Sequence, residues 1–386
     1  MTAAGPISCQ LSNENLWDDA VLADPYPSYR RLRELGPVVW LEQPGLVALP
    51  RFAEVRAALA DWKTYSSADG VAVADQVNNS MSTSILTSDP PLHDRFRKPL
   101  MDQLSVAALG RDGPAIDATA ARFAEAVTMA ETIDAVADLA RPYSLTVVSD
   151  LVGLPPDGRD AYPELAERAF NLFGPTGDRL LDGVEALDEL QTRTDDACPH
   201  LAPGGKGEEL CELGMAGSVA AYTWPGIDTT VNALGSAVHL FARHPEQWDL
   251  VRADRALIPS AFNEVLRLHA PVQFFTRVTT ADLSLGEVRL PARTRVLIMY
   301  GSANRDERRF VDPDRFDVTR NPTDQLAFGR GIHLCVGINL ARLEAHSLLS
   351  HLANRVARFE PAGHPRWMVN NTLHGPATLP VRLVPA

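Results

Sequence analysis

The sequence predicts a mainly α-helical protein with a small β portion. Apolar side chains recur at helical spacing in most of the 386 residues, and only a few short segments alternate between apolar and polar residues. Composition supports a large folded core, since 45% of the residues are apolar and 22% are charged. No repeat, low-complexity linker or change of composition divides the chain, so we expect one domain over residues 1–386.

Helices are predicted where this spacing holds and where Pro, Gly or a capping residue marks the ends. The predicted ranges are 28–35, 52–61, 91–103, 114–130, 141–153, 157–173, 178–198, 208–243, 259–269 and about 335–355. The range 208–243 contains Pro225 in its interior. A proline there removes one backbone hydrogen bond and clashes with the carbonyl of Ala221, so we expect a kink or an opening.

The β portion is predicted from short alternating runs. Residues 38–41 and 46–49 flank Pro44-Gly45 and predict a hairpin. Further strands are predicted over 287–290 and 293–299, with two more at the C-terminus. From Tyr65 to Ser88 small and polar residues predominate, which predicts a long loop; such loops in compact chains are often functional.

Charge and cysteine usage limit the partners and the compartment. The formal net charge of −13 argues against nucleic acid or an anionic membrane as a general partner. Cys9, Cys198, Cys211 and Cys335 form no CxxC pair or zinc spacing, so we expect a reduced cytoplasmic protein and assign the first three no role. Neither a signal peptide nor a membrane-spanning run of about 18 apolar residues is predicted.

The segment Phe328-Gly329-Arg330-Gly331-Ile332-His333-Leu334-Cys335-Val336-Gly337 surrounds one cysteine with glycines. Glycine lets backbone N–H groups approach the sulfur, and a helix start favours a thiolate over a thiol. A lone cysteine in a glycine turn is more often an ordinary buried residue. The whole pattern Phe-x-x-Gly-x-His-x-Cys-x-Gly, however, resembles the haem-binding loop of the cytochromes P-450 at every fixed position. Cys335 is therefore the expected axial ligand of haem iron.

The resemblance implies the triangular, single-domain P-450 fold, haem b as cofactor and a monooxygenase activity that uses O2. The residues expected to hold the haem are Cys335, Phe328, Gly329, His333, His93, Arg97 and Arg277. The last three and His333 match the family's propionate ligands, although each cation taken singly is more often solvated. NAD(P)H, a reductase and a small acidic ferredoxin should supply electrons, with Lys98, Arg330 and Arg342 as a basic docking face.

Glu264 and Arg267 lie three residues apart on one predicted helix face. Alone they would be a weak surface ion pair. They coincide with the family's Glu-x-x-Arg pair, and the resemblance implies that Arg315 completes a buried structural cluster behind the haem loop.

The string Pro225-Gly226-Ile227-Asp228-Thr229-Thr230 resembles the family's oxygen groove, although Pro225 stands where the family has Ala or Gly. Without the resemblance it is an incidental kink. With it, Thr229 is the expected hydrogen-bond partner of the reacting dioxygen and Asp228 the proton relay. Because Thr229 follows Pro225 by four residues, its hydroxyl can also bond the Pro225 carbonyl.

A narrower resemblance concerns the substrate. Strings such as Asn171–Pro175, Pro271–Phe275 and Asn370–Leu373 are similar to those of bacterial para-methoxybenzoate O-demethylases, which hydroxylate an aryl methyl ether and release formaldehyde. In that branch Arg and Ser side chains hold the substrate carboxylate. The aligned positions here are Ser80, Thr83, Ala220, Ala221 and Trp224. An unpaired carboxylate in an apolar pocket is strongly disfavoured, so we expect a neutral para-substituted ether such as a 4-alkylguaiacol.

The predicted pocket consists of Ser80, Thr83, Ile85, Phe170, Phe173, Trp224, Pro225, Phe274, Phe275 and Thr276. Aromatic rings can sandwich a flat substrate, and ordinary core packing is the equal alternative for each Phe. The alternatives within enzymes are a benzoate demethylase or a hydroxylase of a terpene, macrolide or other hydrophobic molecule. A peroxide-driven enzyme is disfavoured because Asp228 and Thr229 are present. A haem gas sensor is disfavoured because the chain shows no signalling segment.

Overall fold

The computed structural model describes residues 9–80 and 84–386. Its helices are α1 Asp19–Ala23, α2 Tyr26–Leu35, α3 Phe52–Ala60, α4 Asp75–Ser80, α5 Leu92–Gln103, α6 Val106–Val127, α7 Arg141–Val152, α8 Tyr162–Ala169, α9 Asp178–Ala197, α10 Lys206–Glu212, α11 Ala216–Arg243, α12 Pro245–Ala253, α13 Ile258–Leu268, α14 Tyr300–Ala303 and α15 Ile338–Arg355. Its strands are β1 Gln10–Ser12, β2 Val39–Leu41, β3 Leu46–Leu49, β4 Tyr65–Ser66, β5 Thr132–Asp134, β6 Phe274–Thr279, β7 Leu283–Leu285, β8 Val288–Leu290, β9 Arg295–Met299, β10 Val356–Pro361, β11 Arg366–Trp367, β12 Pro376–Thr378 and β13 Pro380–Pro385.

Helix α11 is the centre of the helical part of the molecule. It packs against α7, α8 and α9, while α15 packs along α6. Its buried apolar residues recur at helical spacing: Ile227, Val231, Leu234, Val238 and Phe241. Burial of this face on several neighbours explains why a helix of 28 residues is stable although it contains Pro225.

The larger sheet lies beside the helices and has the strand order β1-β2-β3-β9-β6-β4. Strands β2 and β3 pair antiparallel, with Val39 opposite Ala48, so the predicted hairpin is confirmed. Strand β6 pairs antiparallel with β9 and places Phe275 opposite Ile298. Successive side chains of β6 therefore point to opposite faces of the sheet.

Several predicted helix bounds are wrong. The predicted helix 208–243 is two helices, α10 and α11, because Gly214 has φ of 68° and ends the first one. The predicted helix 157–173 is α8 followed by a 3-10 segment, Phe170–Phe173. The helix predicted from residue 114 begins at Val106, where Ser105 caps it by accepting from the Ala108 N–H.

Three further expectations about the backbone need correction. Helix α15 begins at Ile338, so Cys335 precedes the helix instead of opening it. Helix α11 stays continuous through Pro225 and does not open there. The segment from Tyr65 to Ser88 is not wholly a loop, since it contains β4 and α4.

The cysteines also differ from expectation. Cys198 and Cys211 form a disulfide that joins the end of α9 to α10, so the prediction of reduced cysteines is wrong for this pair. Cys9 and Cys335 are free. Within residues 9–80 and 84–386, no helix combines the length and apolar character needed to cross a bilayer.

Candidate active site

Cys335 sits in a tight loop whose backbone is fixed by glycines. The Cys335 N–H donates to the Phe328 carbonyl at 2.8 Å, and Gly329 and Gly331 have φ of 70° and 71°. A Cβ on Gly331 would lie 2.4 Å from the Leu59 carbonyl oxygen, so only glycine lets the loop rest on α3. The Arg342 guanidinium lies over the Phe328 ring at 5.7 Å and packs the opposite side of the loop.

The sulfur of Cys335 has the environment of a metal ligand. Burial raises the pKa of the thiol, while N–H groups of Gly337 and Ile338 and the charge of Arg97 act to lower it. N–H groups aimed at sulfur stabilise a thiolate. A metal cation bound to the sulfur would offset the remaining free-energy cost of burying its negative charge. The donor set therefore fits the thiolate ligand of haem iron.

The four predicted propionate ligands come together beside this loop. The rings of His93 and His333 are 4.7 Å apart, and the Nε2 atom of each is buried without a protein partner. Arg97 donates to the Leu334 carbonyl at 2.7 Å, and buried Arg277 donates to the Thr276 carbonyl. Burial, followed by the charge of Arg277, lowers the pKa of His333 to about 2. Buried ring nitrogens facing cationic side chains fit acceptor groups such as two carboxylates.

The Glu-x-x-Arg cluster is present, but its third member is Arg320. Fully buried Glu264 accepts from Arg267 at 2.7 and 2.9 Å and from Arg320 at 3.1 Å. The Arg315 side chain is 64% exposed and pairs with Asp317 at 3.8 Å, so its predicted place as a cation of the cluster is wrong. Arg315 contributes only its carbonyl, which accepts from Arg267 at 3.3 Å.

The middle of α11 carries the two predicted catalytic residues. The Thr229 hydroxyl donates to the Pro225 carbonyl, four residues earlier on the helix, at 2.6 Å. Asp228 is buried and accepts from the Asn232 amide at 3.2 Å. Burial, and next the charge of Glu167, raises the pKa of Asp228 well above its ordinary value. A carboxyl held neutral in this way can donate a proton.

Sequence reasoning missed the outer partners of Asp228. Arg141, the first residue of α7, pairs with Glu167 of α8 at 3.5 Å, and both side chains are about one-third exposed. The Arg141 charge opposes the rise in the pKa of Asp228. Burial raises the pKa of Glu167 as well. The pair is partly exposed and its charges act on the pKa of buried Asp228, and nothing in the residue spacing signals it.

Four aromatic side chains form one wall near α11. Phe173 stacks on Trp224 with centroids 5.9 Å apart and planes 4° from parallel, and Phe170 is 5.1 Å from Trp224. Phe275 meets Phe173 edge-on at 4.9 Å. The Trp224 N–H donates to the Ala166 carbonyl at 3.2 Å. Predicted pocket residues from the 3-10 segment after α8, from α11 and from β6 are thus brought together.

The remaining predicted pocket residues do not all join this wall. Phe274 points to the other face of β6 and packs edge-on against Trp17 at 5.5 Å, and Thr276, on the same face, donates to the Ala72 carbonyl. Strand alternation separates both from Phe275, so their predicted place in the pocket is wrong. Ser80 is exposed and donates to the Val77 carbonyl.

The other three positions give a mixed result. Ile85 and Pro225 are half-buried, Ile85 against the main core and Pro225 beside Trp224. Thr83 lies outside the described residues.

The predicted basic docking residues surround the cysteine loop. Arg330 is exposed, and Lys98 is exposed and paired with Asp102 at 2.6 Å. Arg342 is half-buried by its contact with Phe328. Among these three cations, Arg330 is exposed and makes no ion pair within the described residues.

Comparisons with known proteins agree with this geometry. A family model described as Cytochrome P450 matches residues 201–373. Cytochrome p450 CYP199A2 of Rhodopseudomonas palustris is 40% identical over 380 residues, covering 94% of this chain and 92% of that protein. Cytochrome P450 130 of Mycobacterium tuberculosis is 31% identical and covers 99% and 100%. The solved structure of CYP109Q5 from Chondromyces apiculatus superposes with a TM-score of 0.79 at 27% identity, covering 96% and 98%.

Proposed function

The chain belongs to the cytochrome P450 family, and from that premise we propose that it removes the methyl group of a neutral aromatic methyl ether, with 4-alkylguaiacols as the substrate type. As a P450 monooxygenase it binds haem b through a cysteine thiolate. The balanced reaction is ArOCH3 + O2 + NAD(P)H + H⁺ giving ArOH, formaldehyde, water and NAD(P)⁺. Hydroxylation of the methyl carbon forms a hemiacetal, which loses formaldehyde.

One observation carries the choice of a neutral substrate: the positions that hold a carboxylate in the benzoate demethylases offer no free donor among the described residues. Ala220 and Ala221 have no polar side-chain atom. The Trp224 N–H is already bonded to Ala166, and the Ser80 hydroxyl to Val77. A carboxylate placed there would lose its hydration without a replacement partner, which a neutral alkyl chain avoids.

The aromatic wall supports an aromatic substrate. Phe170, Phe173, Trp224 and Phe275 present ring faces and edges from three different elements. Offset or edge-to-face contacts with a substrate ring favour a flat molecule over a bulky aliphatic one of the same polarity. The strings shared with the aryl ether demethylases point to the same chemistry.

Bound haem supplies the oxygen-activating chemistry. The chain's own contribution is proton supply from α11. Asp228, kept neutral by burial, is the internal proton donor, and the Thr229 hydroxyl, which donates to the Pro225 carbonyl, is the hydrogen-bond partner of the reacting dioxygen. The Arg141–Glu167 pair lies at the solvent end of this route.

The proposed redox partners are an acidic ferredoxin and an NAD(P)H-dependent reductase. The proposed location of the protein is the cytoplasm. The exposed Arg330 beside the cysteine loop supports docking of an acidic protein there.

The proposal is tested by titrating the haem spectrum with 4-propylguaiacol and with 4-methoxybenzoate. We expect tight binding of the guaiacol and weak binding of the benzoate. With ferredoxin and reductase added, formaldehyde should form in proportion to NAD(P)H consumed. Tight benzoate binding without a guaiacol response would refute the neutral-ether proposal. Turnover of a bound arene without formaldehyde would instead indicate a hydroxylase.

A further inference from the structure

We propose that a buried asparagine clamp, formed by Asn171, Asn370 and Asn371, fixes the aromatic wall and thereby sets the preference for flat substrates. These residues act as positioning residues, because their side chains bond the segment that carries Phe170 and Phe173. The preference for aromatics rests on the proposed function, whereas the rigidity of the wall does not.

Asn371 lies at the centre of the clamp with its polar atoms paired. Its backbone N–H donates to the Asn171 side-chain oxygen, and its side-chain amide donates to the Asn171 carbonyl, both at 2.8 Å. Its side-chain oxygen accepts from Arg179 at 3.0 Å, and its carbonyl accepts from the Trp17 N–H at 3.1 Å. A fully satisfied buried network of this kind specifies one arrangement of the segments that it joins.

Asn370 makes the second connection between the same segments. Its amide donates to the Glu167 carbonyl in α8 at 2.7 Å, while its side-chain oxygen accepts from the N–H groups of Thr372 and Leu373. The turn at 370–373 is thus rigid in itself and bonded to α8 as well as to the 3-10 segment.

The clamped 3-10 segment is the one that carries the pocket rings. Asn171 lies between Phe170 and Phe173, so displacement of its backbone would move both rings away from Trp224. On the other side, the Val73 N–H donates to the Phe173 carbonyl at 2.9 Å. The 3-10 segment is therefore bonded to Asn371 on one side and to Val73 on the other.

Gly174 shows how closely the two segments approach. A Cβ at this position would lie 2.3 Å from the Asn371 side-chain nitrogen, although the backbone, with φ of −80°, suits any residue. A methyl group here would displace Asn371 without deleting it, which provides a second, independent perturbation of the clamp.

The test compares N371A and G174A with N263A, whose buried asparagine lies on α13 and contacts Asn321 at 3.4 Å. Hydrogen exchange of the substrate-free holoprotein reports the rigidity of residues 170–174. N371A removes the two hydrogen bonds of the Asn371 side chain, and G174A displaces that side chain. Exchange of residues 170–174 should become about tenfold faster or more in both variants and stay unchanged in N263A. Haem spectral titrations with 4-propylguaiacol and with borneol, a compact non-planar alcohol, report the selectivity.

In wild type and N263A, 4-propylguaiacol should bind more tightly than borneol, and in the two clamp variants this ratio should fall at least fivefold. Unchanged exchange and an unchanged ratio in N371A and G174A would overturn the proposal. Faster exchange with an unchanged ratio would overturn its selectivity part. If N371A does not fold, N171A, which removes one acceptor, and G174A decide the result. If wild type binds no arene, the proposed function fails while the exchange measurement still tests the clamp.

Discussion

Replacing Arg320 by alanine should destabilise the protein, whereas the same change at Arg315 should have little effect. Arg320 is 18% exposed and donates to the fully buried Glu264 carboxylate at 3.1 Å. It also donates to the carbonyls of Val311 and Asp312 in the coil that leads to the haem loop. Arg315→Ala removes only an exposed contact to Asp317.

The expected magnitudes follow from these surroundings. A hydrogen bond to a buried charged group contributes about 1.5–3 kcal/mol, so R320A should lose about 2–3 kcal/mol of unfolding free energy. R315A should lose less than about 1 kcal/mol, as exposed pairs do. Urea unfolding followed by the haem absorbance and by circular dichroism measures both; with a slope of about 3 kcal/mol per M, R320A lowers the midpoint by somewhat less than 1 M. Equal midpoints for the two variants, or a larger loss in R315A, would refute the assignment of Arg320.

Four further outcomes are expected. The free energy of unfolding of D228N should rise relative to that of wild type as pH increases above 3.8, by about 1.4 kcal/mol per pH unit until the raised pKa of Asp228 is reached. In this range unfolding of the wild type releases the Asp228 proton, whereas D228N has no proton to release there. Parallel stability–pH curves would contradict this. T229A should consume NAD(P)H with at least about tenfold less product per reductant, since the proposed hydrogen-bond partner of the reacting dioxygen is lost; unchanged yield would exclude that role. W224S should weaken 4-propylguaiacol binding about tenfold by removing the ring stacked on Phe173, and a titration with unchanged affinity would place the substrate elsewhere. R330E should slow the reduction of this protein by ferredoxin several-fold at low salt and little at high salt. An effect that does not depend on salt would indicate a damaged loop instead of a docking surface.

The sequence predicted best what depends on local spacing. The hairpin flanking Pro44-Gly45 formed because its turn and its apolar alternation agree. The cysteine loop and the Glu264–Arg267 pair were found because each is a fixed spacing within one short segment.

What the sequence could not predict depends on packing between distant segments. Arg315 and Arg320 lie in the same coil and are equally cationic, and only the path of that coil decides which one reaches Glu264. The apolar spacing predicts one helix from residue 208 because it does not mark Gly214, whose φ of 68° ends α10. The Arg141–Glu167 pair joins residues 26 positions apart and leaves no periodic signal.

Strand β6 shows why an apolar pair need not share a role. Phe274 and Phe275 are adjacent and chemically identical, yet one packs on Trp17 and the other on Phe173. Two adjacent Phe residues suggest one apolar cluster, but the two-residue period of a strand sends neighbouring side chains to opposite faces.

This alternation limits how the enzyme can change during evolution. On β6, Phe275 and Arg277 share a face, so a single-residue insertion or deletion before them would turn both toward Trp17 and the other face of the sheet and bring Phe274 and Thr276 to the face that contacts Phe173. New substrate preferences should therefore arise in this strand by replacement of side chains at a constant length.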